Sequence, residues 1–236
     1  MNTLFESADH FTRTLNDRLE PRVKTHLKHV YSTLTATVLS ASLGAYLHLY
    51  TNLAATLLFV TLGLCLALMF TKDNGKNRNL RLGYLLGIGF FSGFSMGPLI
   101  EMTLYIDTSI LPTAILSTAF IFGCFTLSAI FSDRRQSLYI TGLASSVATF
   151  VFSLALMNIF LNSYLIYKTS LYLSFGVMCA LVIIDTVRII DLRARGDTDY
   201  IMHACMLFQD LVQIFRHLLV ILSEKDRSNK RKKQRD

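Results

Sequence analysis

The sequence predicts an all-α integral membrane protein, with six transmembrane helices and a charged seventh intramembrane helix forming a seven-helix bundle. Three observations predict it. Of 236 residues, 52% are apolar and only 17% charged, whereas a soluble domain carries about 25% charge. The apolar residues stand in long uncharged runs rather than in the interrupted stripe of a surface helix. The net charge of +7 is confined to the N-terminal segment, short connectors and the last fourteen residues. That pattern excludes a disordered chain and a nucleic-acid-coating protein. It divides the sequence into a cytosolic segment (1–29), a helical membrane domain (30–222) and a basic tail (223–236).

In the first segment Arg13, Arg18, Arg22, Lys24 and Lys28 alternate with Glu6, Asp9, Asp17 and Glu20. No apolar stretch there ends in a small-residue cleavage site, so the first apolar run is expected to be the anchor. His10, His26 and His29 in the same segment read as solvated. Six runs then match the roughly 20 residues needed to cross hydrocarbon: about 30–50, 53–70, 80–106, 110–131, 138–160 and 164–190. A seventh, 201–222, carries His203, Asp210, Arg216 and His217.

Tyrosines mark the ends of the runs, as amphipathic rings do at headgroup depth: Tyr31 and Tyr50, Tyr84 and Tyr105, then Tyr139, Tyr172 and Tyr200. Pro112 falls at a helix start, where a missing N–H is tolerated. Pro98 interrupts the third run. Gly89, Gly93 and Gly97 recur every fourth residue, with Gly83 and Gly87 before them, which places small residues on one face for close helix packing. Cys65, Cys124, Cys179 and Cys205 are far apart in apolar runs and read as buried, inert thiols.

Counting Lys and Arg in alternate connectors puts fourteen on the N-terminal side and Lys168 alone on the other. The N-terminus is therefore expected to be cytosolic. The tail, with Lys225, Arg227, Lys230, Arg231, Lys232, Lys233 and Arg235, breaks the alternation after seven crossings. Either the seventh segment crosses fully, or it dips in and returns. The charge count favours the second, with the C-terminus also cytosolic.

Ionisable groups inside the runs are the chemical signal, because an unpaired Asp at mid-bilayer costs roughly 2.5–3.5 kcal/mol on insertion scales. Asp185 lies in "MCALVIIDTVRII" and Asp210 in "MLFQDLVQIF". His203, Asp210 and His217 are seven apart, so they return to nearly the same helical angle, with Gln213 beside them. Such a stripe should turn inward, and Asp185 on the preceding helix is the nearest partner for Asp210. Two neighbouring carboxyls in low dielectric share a proton near neutrality. Arg188 lies within reach of Asp185 three residues earlier. The pair is thus a candidate gate, pH sensor and transient Ca²⁺ ligand, and two carboxyls fall short of the 6–8 oxygens of a storage cage. Glu101, after "GFSMGP", is a candidate cation entrance. His48 reads as interfacial.

Enzyme readings fail on their motifs. The sequence lacks GxxxxGK[ST] and HExxH. An intramembrane aspartyl protease would also share a proton between two Asp, but Asp185 follows Val182, Ile183 and Ile184 rather than a GxG element. No enzyme activity and no resident cofactor are expected.

The strings "HLKHVYSTL", "GAYLHL", "GFSMGPLIE", "SILPTAILSTAFIFGCFTLSA", "MCALVIIDT" and "GDTDYIMHACMLFQDLVQIFRHLLVIL", followed by the basic tail, resemble the transmembrane Bax inhibitor motif family from about His26 onward. The resemblance implies an endoplasmic-reticulum protein that suppresses apoptosis, restrains unfolded-protein-response signalling and leaks Ca²⁺ in a pH-dependent way. It maps the family's paired aspartates onto Asp185 and Asp210, and implies Bcl-type regulators and stress-sensor membrane proteins as partners. The arginine latch of a bacterial member has no counterpart, since 53–70 contains no Arg. Gln234 stands where a dilysine retrieval signal would have Lys. Two readings follow: a pH-gated Ca²⁺ leak, or a non-conducting adaptor acting through its tail on acidic lipid or partner faces.

Overall fold

Pro21 has no N–H to leave unpaired, and it opens α1, Pro21–His48. This is the first helix of a computed structural model that describes residues 20–50, 57–132 and 134–233. After it come α2 (Leu57–Phe70), α3 (Arg78–Ser95), α4 (Gly97–Ile106), α5 (Ile110–Phe131), α6 (Arg134–Leu161), α7 (Tyr164–Ala194) and α8 (Tyr200–Lys233). No strand occurs among the described residues.

The predicted interruption at Pro98 is where α3 gives way to α4. Met96 ends the first helix, its N–H shared between the carbonyls of Ser92 and Gly93, and Pro98 occupies the first turn of the next. Together α3 and α4 form one bent column, Arg78–Ile106, so the eight helices among the described residues make the expected seven-column bundle. Five columns are long and apolar enough to span a membrane: Arg78–Ile106, Ile110–Phe131, Gln136–Leu161, Tyr164–Ala194 and Tyr200–Lys230. The second predicted run is a shorter apolar helix, Phe59–Phe70, and its expected start lies outside the described residues. With 28 residues, α1 is about 42 Å long against a hydrocarbon core of about 30 Å, so its first turns extend beyond the oil.

The predicted span richest in ionisable side chains occupies the centre. Helix α8 packs against α7, α1, α5, α4 and α3, and Ile201, Ala204, Leu207, Phe208, Ile214 and Leu219 are fully buried on it. A helix with charged and imidazole side chains is costly against lipid, so surrounding it with other helices is the lower-energy arrangement. By contrast, α6 packs chiefly on α7 and only 6% of its apolar window is buried, so most of it faces the bilayer.

The glycine stripe fulfils its expectation at Gly89, Gly93 and Gly97. A Cβ on Gly89 would stand 2.7 Å from the Thr37 carbonyl, one on Gly93 would run into the Ala41 carbonyl, and one on Gly97 into the His48 ring. Gly44 reciprocates from α1 against the backbone of Phe90. Gly83 has open space around it and Gly87 meets only a leucine side chain. The thiols divide: Cys179 and Cys205 are buried, Cys65 is half-buried, and Cys124 is exposed on the lipid-facing side of α5, contrary to the expectation of four buried cysteines.

The seventh predicted segment forms one unbroken helix. Helix α8 is continuous for 34 residues, about 50 Å at 1.5 Å per residue. At its start His203 meets His26 of α1, and Asp199 meets Arg81. At its far end Ser223 lies 3.3 Å from Thr103, and Lys230 donates to the Ile106 carbonyl at 2.6 Å. Those contacts belong to opposite ends of the bent Arg78–Ile106 column, so the helix crosses the whole bundle. The last described turns of α8 lie at the end of the bundle opposite the start of α1.

Candidate functional site

Asp210 sits about a third of the way along α8 and is 6% exposed. Its Oδ2 is buried without a hydrogen-bond partner. Asp185, half-buried on α7, lies within Coulombic range of it. Helices α7 and α8 form a packed hairpin, and the two carboxyls come one from each of its arms. Arg188 lies within Coulombic range of Asp185, but it is exposed. The fully buried Val182 and the buried Ile183 and Val187 flank Asp185, so the local environment of the pair is apolar.

The polar stripe does face inward, but it does not form one site. Seven residues span about 10 Å along a helix, which separates His203 and His217 from Asp210. His203 turns to α1, where its Nδ1 lies 2.8 Å from Nε2 of His26. His217 turns to α7: its Nε2 is 3.0 Å from Ser174 Oγ, and its Nδ1 is 2.8 Å from the Gln213 carbonyl. Gln213 itself is half-buried. Glu101 is exposed on α4 and is not brought to the Asp pair. His10 lies outside the described residues.

Three placements depart from the sequence reading. His26, read as solvated, is 6% exposed. His48, read as interfacial, is buried with its ring edge-on to Phe94 at 4.9 Å. Tyr31, read as an interface marker, buries its hydroxyl opposite those of Thr126 and Thr186. These three oxygens, from α1, α5 and α7, face one another without closing to hydrogen-bond geometry.

Sequence reasoning missed an ion pair at the start of α8. Arg81 is 3% exposed and its Nη2 donates to Asp199 Oδ2 at 2.5 Å, while Nε and Nη1 have no partner. Asp199 also caps α8, its Oδ1 accepting from the Met202 N–H at 3.0 Å. The connector before it is set by Gly196, at φ +101°. There the Gly196 N–H bonds the Arg193 carbonyl and the Asp197 N–H the Leu192 carbonyl, the paired bonds that close a helix through a left-handed residue. The acid in "GDTDY" just before an apolar run was a legible cap signal. Nothing in the sequence distinguished Arg81 from the other cations of its connector.

Among the described residues no group of three or more His, Cys, Asp or Glu is placed to hold a metal ion. At the tail, Lys225 and Arg227 belong to α8, and Lys230 pairs with Asp226 at 2.9 Å. Arg231, Lys232 and Lys233 continue the helix; Arg235 lies outside the described residues. In the connector below Lys230, hydrogen bonds from Ser109, and then the nearby Lys230 charge, hold the Asp107 carboxyl below its usual range.

Comparison with known proteins adds a family-level finding. Residues 23–227 match the family model described as inhibitor of apoptosis-promoting Bax1. The chain is 36% identical to Bax inhibitor 1 of Rattus norvegicus over 98% of this chain and 99% of that protein. It is 35% identical to Bax inhibitor 1 of Homo sapiens over the same shares. With Bax inhibitor 1 of Drosophila melanogaster it shares 35% identity over 92% of this chain and 89% of the relative.

Proposed function

Because the chain belongs to the family of inhibitors of apoptosis-promoting Bax1, we propose that it suppresses cell death as a pH-sensitive Ca²⁺ leak of the endoplasmic-reticulum membrane, gated by Asp185 and Asp210. One observation carries the reading: a buried carboxyl oxygen without a partner, on the central helix, within Coulombic range of a second carboxyl.

A partnerless Asp in an apolar bundle is destabilising, so a purely structural role accounts poorly for it. Protonated, it is a neutral group that the bundle tolerates. Ionised, it offers hard oxygen to a passing cation, and the pair is too small for a cage that would retain Ca²⁺. The Tyr31, Thr126 and Thr186 hydroxyls supply further oxygens inside the bundle. With no nucleotide-binding motif, the flux this chain supports runs down the calcium gradient. H⁺ and Ca²⁺ are then the sensed and transported ions, and no resident cofactor is required.

The adaptor reading, in which Bcl-type regulators or stress sensors bind the tail, needs that tail on the cytosolic side. The epitope accessibility of the tail in sealed vesicles therefore decides whether the adaptor reading keeps its support. In proteoliposomes loaded with a calcium dye, Asp185→Asn and Asp210→Asn should each abolish the pH dependence of flux; unchanged flux in both would falsify the gate. Deleting 223–236 separates the readings further. The adaptor predicts lost protection with flux intact, and the leak predicts that protection and flux rise or fall together.

A further inference from the structure

Away from the Asp pair, the start of α8 is held by groups that titrate. His26 of α1 and His203 of α8 share a hydrogen bond at 2.8 Å, with rings edge-on at 5.1 Å. One nitrogen of the contact must carry hydrogen and the other a lone pair, so the bond exists only while at least one imidazole is neutral. On its other side His203 Nε2 lies 3.9 Å from Asp197 Oδ2. The surrounding charges are all identified: Arg193 and Arg188 from α7, Asp197 and Asp199 from the connector, and His29 from α1. From α3, Arg81 is engaged by Asp199. Arg193 is tied back by donating to the Asp197 carbonyl at 3.1 Å. Both imidazoles are buried, so neither can take a second charge without leaving the contact or admitting water.

We propose that His26 and His203 form a proton-operated latch that pins the start of α8 to α1 and releases the α7–α8 connector on acidification. The device is separate from the Asp pair, and it stands whether or not the protein conducts calcium.

The direction follows from the chemistry. His26 precedes residue 30 and lies outside the spanning part of α1. Burial, and then its His203 neighbour, push its imidazole from the ordinary 6.5 down to about 4. The folded contact therefore binds fewer protons than the released one. Its stabilising contribution is fully present above about pH 6.5 and is lost as pH falls through about 4.

Hydrogen exchange on the full-length protein in lipid nanodiscs tests this, with rates corrected for intrinsic pH dependence. Between about pH 7.5 and about pH 4.5, exchange in 195–203 should accelerate by roughly one to two orders of magnitude, while the middle of α8 stays protected. His26→Gln keeps a polar partner for His203 but removes one titrating ring, and it should reduce the acceleration to a fewfold at most. Equal acceleration in His26→Gln and wild type, or none in wild type, would overturn the latch. Nitrogen chemical shifts of the wild-type imidazoles give a readout that needs no variant. His26 should titrate below the ordinary histidine range and its titration should perturb the His203 resonances; independent titration of His26 near 6.5 would contradict the proposal.

Discussion

At the residue scale, the energetics concentrate on a few buried polar groups whose partners come from distant sequence. Arg81 and Asp199 are 118 residues apart in the chain, yet their pair ties the bent α3–α4 column to the start of the central helix. Removing one member of a buried pair strands the other, which costs about 3 kcal/mol. We expect Arg81→Met to lower the thermal midpoint in detergent markedly, and Arg81→Met combined with Asp199→Asn to cost less than the two single changes added together. A strictly additive double variant would show that the pair is not an energetic unit. Asp185 and Asp210 were legible because an acid within an apolar run has no ordinary reason to be there. His26 was not: five cations and four acids around it in sequence suggested water, and only the tertiary contact with His203 removes it from water. The same limitation hid Arg81, whose sequence context is that of an orientation-setting connector cation.

At the element scale, helix limits followed local chemistry. Pro98 broke the third run where predicted, Pro112 lies in the first turn of α5, and the glycines spaced by four set the α1–α3 contact. Close backbone approach is what this interface gains from its glycines, since apolar surface alone gives little drive inside lipid. Gly93→Val should therefore separate α1 from α3 and destabilise the fold by about 3 kcal/mol or more. Gly83→Val, with open space at its Cβ, should be neutral or slightly stabilising, because valine is the better helix former. Comparable unfolding midpoints for the two variants would contradict the packing account. The path of the last segment was less legible, because charge counting weighs residues beyond the bilayer and is blind to packing. Ile201, Leu207, Phe208, Ile214 and Leu219 form an apolar face along most of α8, and burying that face requires the helix to run the length of the bundle.

At the scale of the whole molecule, four columns pack around a central one that carries a carboxyl about a third of the way along, a histidine contact at one end and a basic extension at the other. This arrangement predicts that epitopes placed before residue 20 and after residue 233 are accessible from opposite faces of a sealed vesicle. Accessibility from one face alone would mean that α8 does not cross. The membrane class and the bundle could be read from apolar run lengths, but the central position of the span richest in ionisable groups could not, since it depends on which helix the others enclose. Both candidate devices lie on that central helix, and the functional account depends chiefly on the carboxyl. The most direct measurement is calcium flux through purified protein in proteoliposomes, titrated across roughly pH 5–8, where coupled carboxyls and histidines change charge. The gate account predicts a wild-type flux that changes with pH and an Asp210→Asn flux that is flat over the same range. A wild-type titration curve reproduced unchanged by Asp210→Asn would contradict it.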